Sequence, residues 1–331
     1  MMSSDPTQAL TRSAPAGSAV IPGAISWIAV DWGTSRLRVF AMDANDRPIA
    51  SASSDKGMGQ LSRDAFEEAL AELVSGWLAD GPRPMIACGM VGARQGWIEA
   101  AYGPVPGPAL SETGLVRAPA TDPALALRIL PGLAQQEPAD VMRGEETQIA
   151  GFLSAHPGFD GLLCLPGTHS KWARLKDDQV LSFRTYMTGE MFALLSGHSV
   201  LRHSLAAAAD MSETSGSRFV EGLDRARALR GNLSADLFSI RARGLLQGFT
   251  PVEAFDYLSG LLLGAELTAA AETDADLPVA LIGSGPLGAR YRQALGHFGR
   301  DAAMMDTTDA TLAGLTAACH TLKEAGEWPA I

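Results

Sequence analysis

Two stretches of this chain are built alike: an apolar strand, a short polar turn, and a second strand. The first runs from Ile28 to Phe40. Ile25 to Val30 is apolar enough for a buried strand, and Leu37 and Val39 alternate with Arg36 and Arg38 in the strand that follows. Between them Asp31 closes the first strand, and Gly33, Thr34 and Ser35 form the turn. The second stretch begins with the buried strand Gly161 to Leu165. It passes through Pro166-Gly167-Thr168-His169-Ser170-Lys171 and returns along Trp172 to Leu175. Turns of this kind aim backbone N–H groups and hydroxyls one way, which suits phosphate oxygens. A carboxylate beside one, such as Asp31, is where a hydrated magnesium ion would sit. The repeat, about 135 residues on, predicts two related half-domains facing each other.

The whole chain sets the bounds. At 331 residues it is long enough for two ordinary domains, and 47% hydrophobic with 19% charged residues fits a soluble α/β protein. A formal net charge of −11 argues against nucleic-acid and anionic-membrane partners, which need basic patches. An anionic small molecule needs only a few local cations. Cys88, Cys164 and Cys319 are odd in number and far apart, so they read as free thiols in a reducing compartment. The histidines show no metal-ligand spacing. Residues 1–24 read as a disordered tail rather than a signal peptide, and no apolar run is long enough for a membrane span. The expected location is the cytoplasm.

Between the two hairpins, Arg63 to Ala79 reads as one amphipathic helix and Pro84 to Ala87 as a short buried strand. Gly57-Met58-Gly59 reads as a strand breaker. Gly89 to Trp97 is a glycine-rich loop carrying Arg94 at a strand end, a usual place for ligand groups in α/β folds. Residues 103–122 read as irregular. After Leu127 to Leu130, the segment Asp140 to Leu153 ends in a helix, and Gly144 leaves Glu145 and Glu146 near its N-terminus, where the dipole favours carboxylates. Beyond Gln179 to Thr185 come four helices, Glu190–Leu201, Ser217–Leu229, Ser234–Leu246 and Val252–Glu272. The strand Leu277–Ile282, the turn Gly283 to Gly288, the helix Ala289–Phe298, the strand Ala302–Met305 and a last helix Thr308–Glu324 finish the chain.

Gly283-x-Gly285-x-x-Gly288, with Asp306 eighteen residues on, satisfies the fingerprint of a dinucleotide-binding dehydrogenase. Only 25 residues follow Asp306, however, and that reading leaves both hairpins unexplained. Taken in order, Asp31-x-Gly33-Thr34, Gly167-Thr168 and Gly283-x-Gly285 resemble the phosphate-1, phosphate-2 and adenosine motifs of the actin, hexokinase and Hsp70 superfold. The resemblance implies a two-lobed actin-like ATPase (ribonuclease H-like) α/β fold, with mixed sheets flanked by helices around a central cleft. Residues 25–150 would form the N-terminal lobe and 151–331 the C-terminal lobe, with the last helix packing back on the first.

Four stretches sharpen this: Ile28 to Arg38, Gly89 to Trp97, Val141 to Gln148, and Pro166 to Trp172 running on to Phe183–Glu190. Together they resemble the 2-dehydro-3-deoxygalactonokinase family, over roughly Ile25 to Glu324. The resemblance implies ATP and magnesium as cofactors and phosphorylation of a small sugar acid, 2-dehydro-3-deoxy-D-galactonate, at its 6-hydroxyl. Asp31 would hold the metal. Gly33, Thr34 and Ser35 would grip the phosphates from one side and Gly167 and Thr168 from the other, while Gly283 and Gly285 approach the adenosine. The base would be Glu145, 22 residues before Gly167, where related sugar kinases carry an Asp; Glu146 is its rival. Arg94, Arg143 and Arg38 are candidates to meet the substrate carboxylate. A non-catalytic sugar-acid sensor on the same superfold is the alternative from another class. The oligomeric state is open, with a homodimer one option.

Overall fold

The segment Trp27–Trp32 is apolar except for Asp31 and is buried on both faces, as a central strand must be. It forms β1 of the computed structural model, which describes residues 22–111, 114–205, 216–229, 233–271, 276–326 and 328. The chain folds into two compact units. The first holds residues up to Gly103, Leu110–Gly132 and those from Leu315 on; the second holds Pro104–Ala109 and Leu133–Gly314. The division falls within β5 (Tyr102–Pro104) and leaves β6 (Gly107–Pro108) in the second unit.

In the first unit β1 pairs antiparallel with β2 (Leu37–Met42), which pairs antiparallel with β3 (Pro48–Ser54). On its other side β1 runs parallel to β4 (Met85–Gly89), followed by β8 (Leu127–Ile129) and β7 (Val116–Arg117). The sheet order is β3-β2-β1-β4-β8-β7. Helix α1 (Phe66–Val74) buries Phe66, Leu70 and Val74 in a core shared with Trp32, Val39 and Trp97. The single helix expected to Ala79 instead tightens into a 3-10 turn over Ser75–Leu78, where Gly76 weakens the α form.

The second unit repeats the plan. Strands β11 (Gly161–Leu165), β12 (Ser170–Lys176) and β13 (Gln179–Tyr186) form an antiparallel meander, and β14 (Val279–Ile282) and β15 (Ala302–Met305) add in parallel. The order β15-β14-β11-β12-β13-β6 matches the first sheet strand for strand from the parallel pair to the third strand of the meander. A hairpin of β9 (Gly132–Gln135) and β10 (Asp140–Met142), absent from the sequence expectation, leads into α2 (Glu145–Ala155). Helices α3 (Thr188–His198), α4 (Ser217–Leu229), α5 (Leu233–Gln247), α6 (Pro251–Ala271) and α7 (Gly285–His297) complete the unit. The first half of α8 (Thr307–Glu324) belongs to it as well, while Leu315 onward belongs to the first unit. There His320 Nε2 lies 2.8 Å from Asp46 Oδ2.

Residues 133–150, expected in the N-terminal lobe, fall in the second unit. Of the tail expected over residues 1–24, residues 1–21 lie outside the described residues, and Pro22–Ala24 forms a 3-10 turn. Among the described residues no helix is long and apolar enough to cross a membrane.

Candidate active site

In the first unit the turn after β1 is built by its neighbours. Gly33 N–H donates to Arg36 O at 2.9 Å, closing the loop. Met58 N–H donates to Gly33 O at 3.0 Å and Gly59 N–H to Thr34 O at 2.9 Å. The Gly57-Met58-Gly59 segment is therefore a buttress under the turn rather than a mere strand breaker. Thr34 and Ser35 stay exposed above it. Asp31 ends β1 with its side chain 16% exposed, and Arg38, directly opposite it on β2, forms an ion pair with it. Arg38 is thus engaged within the hairpin.

The loop after β4 is folded inward more than its glycines suggest. Trp97 N–H donates to Val91 O at 3.0 Å, and the indole stacks on Phe66 with ring centroids 6.1 Å apart. Arg94, the loop's one charged residue, turns out to solvent, 81% exposed and 3.5 Å from Glu99.

In the second unit Gly144 caps α2 at φ +100°, a conformation that side chains rarely adopt. This sharp entry puts two carboxylates on the helix's first turn in unlike surroundings. Glu145 is partly exposed; its Oε2 accepts from Arg143 N–H at 3.1 Å and its Oε1 lies 3.4 Å from Lys171 Nζ. Glu146 is buried, accepting from Gly144 N–H at 2.6 Å and Thr147 Oγ1 at 2.9 Å. Burial first, and then the negative charge of Glu145, push Glu146 up to about 7. Arg143 is buried just ahead of the helix. Behind it, α2 is pressed onto the first half of α8, for a Cβ on Gly314 would lie 1.8 Å from Thr147 O.

The second turn is supported like the first. Glu190 N–H donates to Thr168 O at 2.9 Å, and a Cβ on Gly189 would lie 2.4 Å from Gly167 O, so only glycine lets the N-terminus of α3 seat against the turn. His169 Nε2 meets Glu190 Oε2 at 2.5 Å. Beneath lies a buried polar cluster that no local pattern foretells. Glu266 on α6 accepts from Trp172 Nε1 and from Tyr291 OH, both at 2.8 Å, and also from Thr188, while Ser170 Oγ donates to Tyr291 OH at 2.6 Å. Burial raises both Glu266 and Tyr291 above their usual ranges. The three donors keep the carboxylate satisfied.

The Gly283 to Gly288 turn joins β14 to α7 inside a β-α-β unit. Gly283 and Gly288 pack backbone to backbone, and Gly285 takes φ +57°. A cavity of about 450 Å³ opens beside the turn, lined by Gly283, Ser284, Gly285, Arg292, Gln293 and Met304. Asp306 is bonded to Ser284 Oγ at 2.7 Å and caps α8 through Thr308 N–H. Strand β14 lies between β15 and β11, with β15 at the sheet edge, so no further parallel strand follows it as a dinucleotide fold would require.

The donor set fits a magnesium nucleotide in kind. Among the described residues no three His, Cys, Asp or Glu side chains gather into a metal cage. Magnesium carried on phosphates needs only one or two protein carboxylates, which Asp31 can supply. The cavity beside Gly283 has the volume of a small-molecule site. Cys88, Cys164 and Cys319 are free and buried.

Comparison with known proteins identifies the family. The family model described as 2-keto-3-deoxy-galactonokinase matches residues 31–318. A probable 2-dehydro-3-deoxygalactonokinase of Rhizobium meliloti is 41% identical over 310 residues, covering 92% of this chain and 98% of its own. The 2-dehydro-3-deoxygalactonokinase of Escherichia coli K12 is 33% identical over 297 residues, covering 89% and 97%. A solved structure from Sinorhizobium meliloti bearing the same enzyme name superposes with a TM-score of 0.84 at 38% identity, over 89% of this chain and 99% of that one. The activator of 2-hydroxyisocaproyl-CoA dehydratase from Clostridium difficile, solved with ADPNP, shares the fold alone, with a TM-score of 0.52 at 11% identity over 92% and 98%. The fold is the actin-like ATPase fold. Neither the dehydrogenase nor the sensor reading finds support among these relatives.

Proposed function

The chain belongs to the 2-keto-3-deoxy-galactonokinase family, and we propose that it transfers the γ-phosphoryl group of ATP to the 6-hydroxyl of 2-dehydro-3-deoxy-D-galactonate. It is a carbohydrate kinase. The observation that carries the chemistry is the unlike pair at the start of α2: Glu145 reachable and next to a cation, Glu146 buried and holding its proton up to about neutral pH. An acid pair in unlike surroundings assigns the proton acceptor to the member that a substrate hydroxyl can reach.

Phosphoryl transfer asks the protein for positioning and for charge stabilisation. ATP supplies the phosphoryl group and magnesium offsets phosphate charge. Asp31 would hold that ion through water. The backbone N–H groups of Thr34 and Ser35 would donate to phosphate oxygens, as would those of Gly167 and Thr168, while Gly33, expected to grip phosphate too, spends its N–H on Arg36 O and shapes the turn. Gly283 and Gly285 would border the adenosine. Glu145 would orient the 6-hydroxyl and accept its proton. Arg94 and Arg143 would meet the sugar-acid carboxylate; Arg38, already paired with Asp31, would instead hold that carboxylate in place. Three buried free cysteines support a reducing, cytoplasmic setting.

The test is Glu145→Gln, which keeps size but removes charge and proton acceptor. Turnover, followed by coupled ADP release over a panel of sugar acids, should fall about 10²–10⁴-fold with ATP binding retained. Glu146→Gln should stay active. Near-normal turnover in Glu145→Gln with a dead Glu146→Gln would refute the assignment.

A further inference from the structure

We propose that Lys171 is a positioning residue for this reaction: its ammonium group fixes the Glu145 carboxylate and ties it to the turn at Gly167–His169. The inference rests on the reading of Glu145 as the base. Lysine is almost never buried unless paired, yet the Lys171 side chain is only 6% exposed. Its Nζ lies 3.4 Å from Glu145 Oε1 and 3.3 Å from the carbonyl oxygen of His169. The two contacts join the start of α2 to the end of the second turn.

The surroundings leave Glu145 as its counter-charge. Glu146 is bonded instead to Gly144 N–H and Thr147 Oγ1. Glu190 on α3 meets His169, and Glu266 on α6 is bonded to Trp172 and Tyr291. Lys171 itself is set by its strand, opposite Leu165 on β11 and Thr185 on β13. A helix start fixes the backbone of Glu145 but leaves three side-chain torsions free. The Arg143 N–H on one oxygen and Lys171 on the other hold the carboxylate from both sides. Burying an ammonium costs stability unless the geometry compensates, which is expected where position matters more than stability.

The experiment is a double-mutant cycle of Lys171→Met and Glu145→Gln, read as kcat and KM for ATP and for the sugar acid. Lys171→Met alone should lower kcat about 10–10²-fold, the scale of a misplaced reacting group, with both KM values within about threefold. In the Glu145→Gln background it should cost nothing further. Losses that multiply across the two backgrounds overturn the inference while leaving Glu145 as the base. Normal turnover in Glu145→Gln alone overturns the base assignment, and this inference with it. If Lys171→Met does not fold, as judged by thermal melting and ADP binding, Lys171→Gln takes its place in the same cycle.

Discussion

Gly57→Ala isolates the role of the buttress. The backbone there is extended, φ −71° and ψ 164°, so alanine adopts it without strain. The obstacle is space: the new Cβ would lie 2.3 Å from the Ser35 carbonyl carbon, 2.4 Å from Arg36 N and 2.4 Å from Thr34 O. All three are backbone atoms and none can swing aside. Ordinary contact begins at 3.4 Å, so the turn has to retreat by about 1 Å. The retreat strains the bonds from Met58 N–H to Gly33 O and from Gly59 N–H to Thr34 O. Overpacking of this kind costs about 1–3 kcal/mol. Alanine returns about 0.4–1 kcal/mol by restricting the unfolded chain. The net loss is about 1–2 kcal/mol, a melting shift of a few degrees. Activity should suffer far more, because a displacement of about 1 Å can cost about 10²-fold in rate. Coupled ADP release and thermal melting, run on the same preparations, check both figures. A lowered melting point with unchanged kcat/KM would mean that the buttress is real but the turn grips no phosphate. Unchanged values of both would sink the packing argument itself.

Two further outcomes follow from the second unit. Glu146 is raised from 4.5 to about 7 in the folded protein, so the native state keeps a proton that the unfolded chain has lost. Stability should therefore fall as pH rises from about 4.5 through 7 and level off above; 2.5 pH units correspond to about 3 kcal/mol. Denaturant melts of Glu146→Gln across this range should lose that slope, and an unchanged slope would assign it to other groups. Gly314→Ala would drive a methyl group to 1.8 Å from Thr147 O. The helix pair should part at a cost of about 3 kcal/mol, with turnover lowered because Glu145 sits on the same turn as Thr147. A wild-type melting point would refute the close crossing.

Local pattern carried most of what could be read ahead of the structure. Both hairpins, the acidic start of α2 and the glycine turn before α7 are written in contiguous residues, where strand alternation, turn chemistry and helix periodicity act over short distances. The β9–β10 hairpin escaped because Gly132–Gln135 and Asp140–Met142 are too short to show a period. Gly57 was legible as a breaker, but that its missing Cβ makes room for the backbone at Thr34–Arg36 is a tertiary fact. The same holds for the difference between Glu145 and Glu146. Adjacent identical residues carry no sequence signal for which one is buried, and the pairing of Glu145 with Lys171 depends on how α2 and β12 pack. Arg38 was expected to reach for substrate, yet strand register set it opposite Asp31.

The cluster around Glu266 has a consequence for how relatives of this chain can diverge. Its donors come from β12, α3 and α7, and one of them, Tyr291, also touches Ser170 at 2.6 Å. Losing the carboxylate would strand an indole N–H and a phenol in a dry interior, and losing either donor would leave the acid underused. Single steps away from the arrangement are therefore all costly, while a concerted change to apolar side chains of similar size can be neutral. Positions 170, 172, 188, 266 and 291 should thus vary as a block, either kept whole or replaced together. A sequence that retains Glu266 but carries Phe at both 172 and 291 would be the hybrid that natural drift ought to avoid.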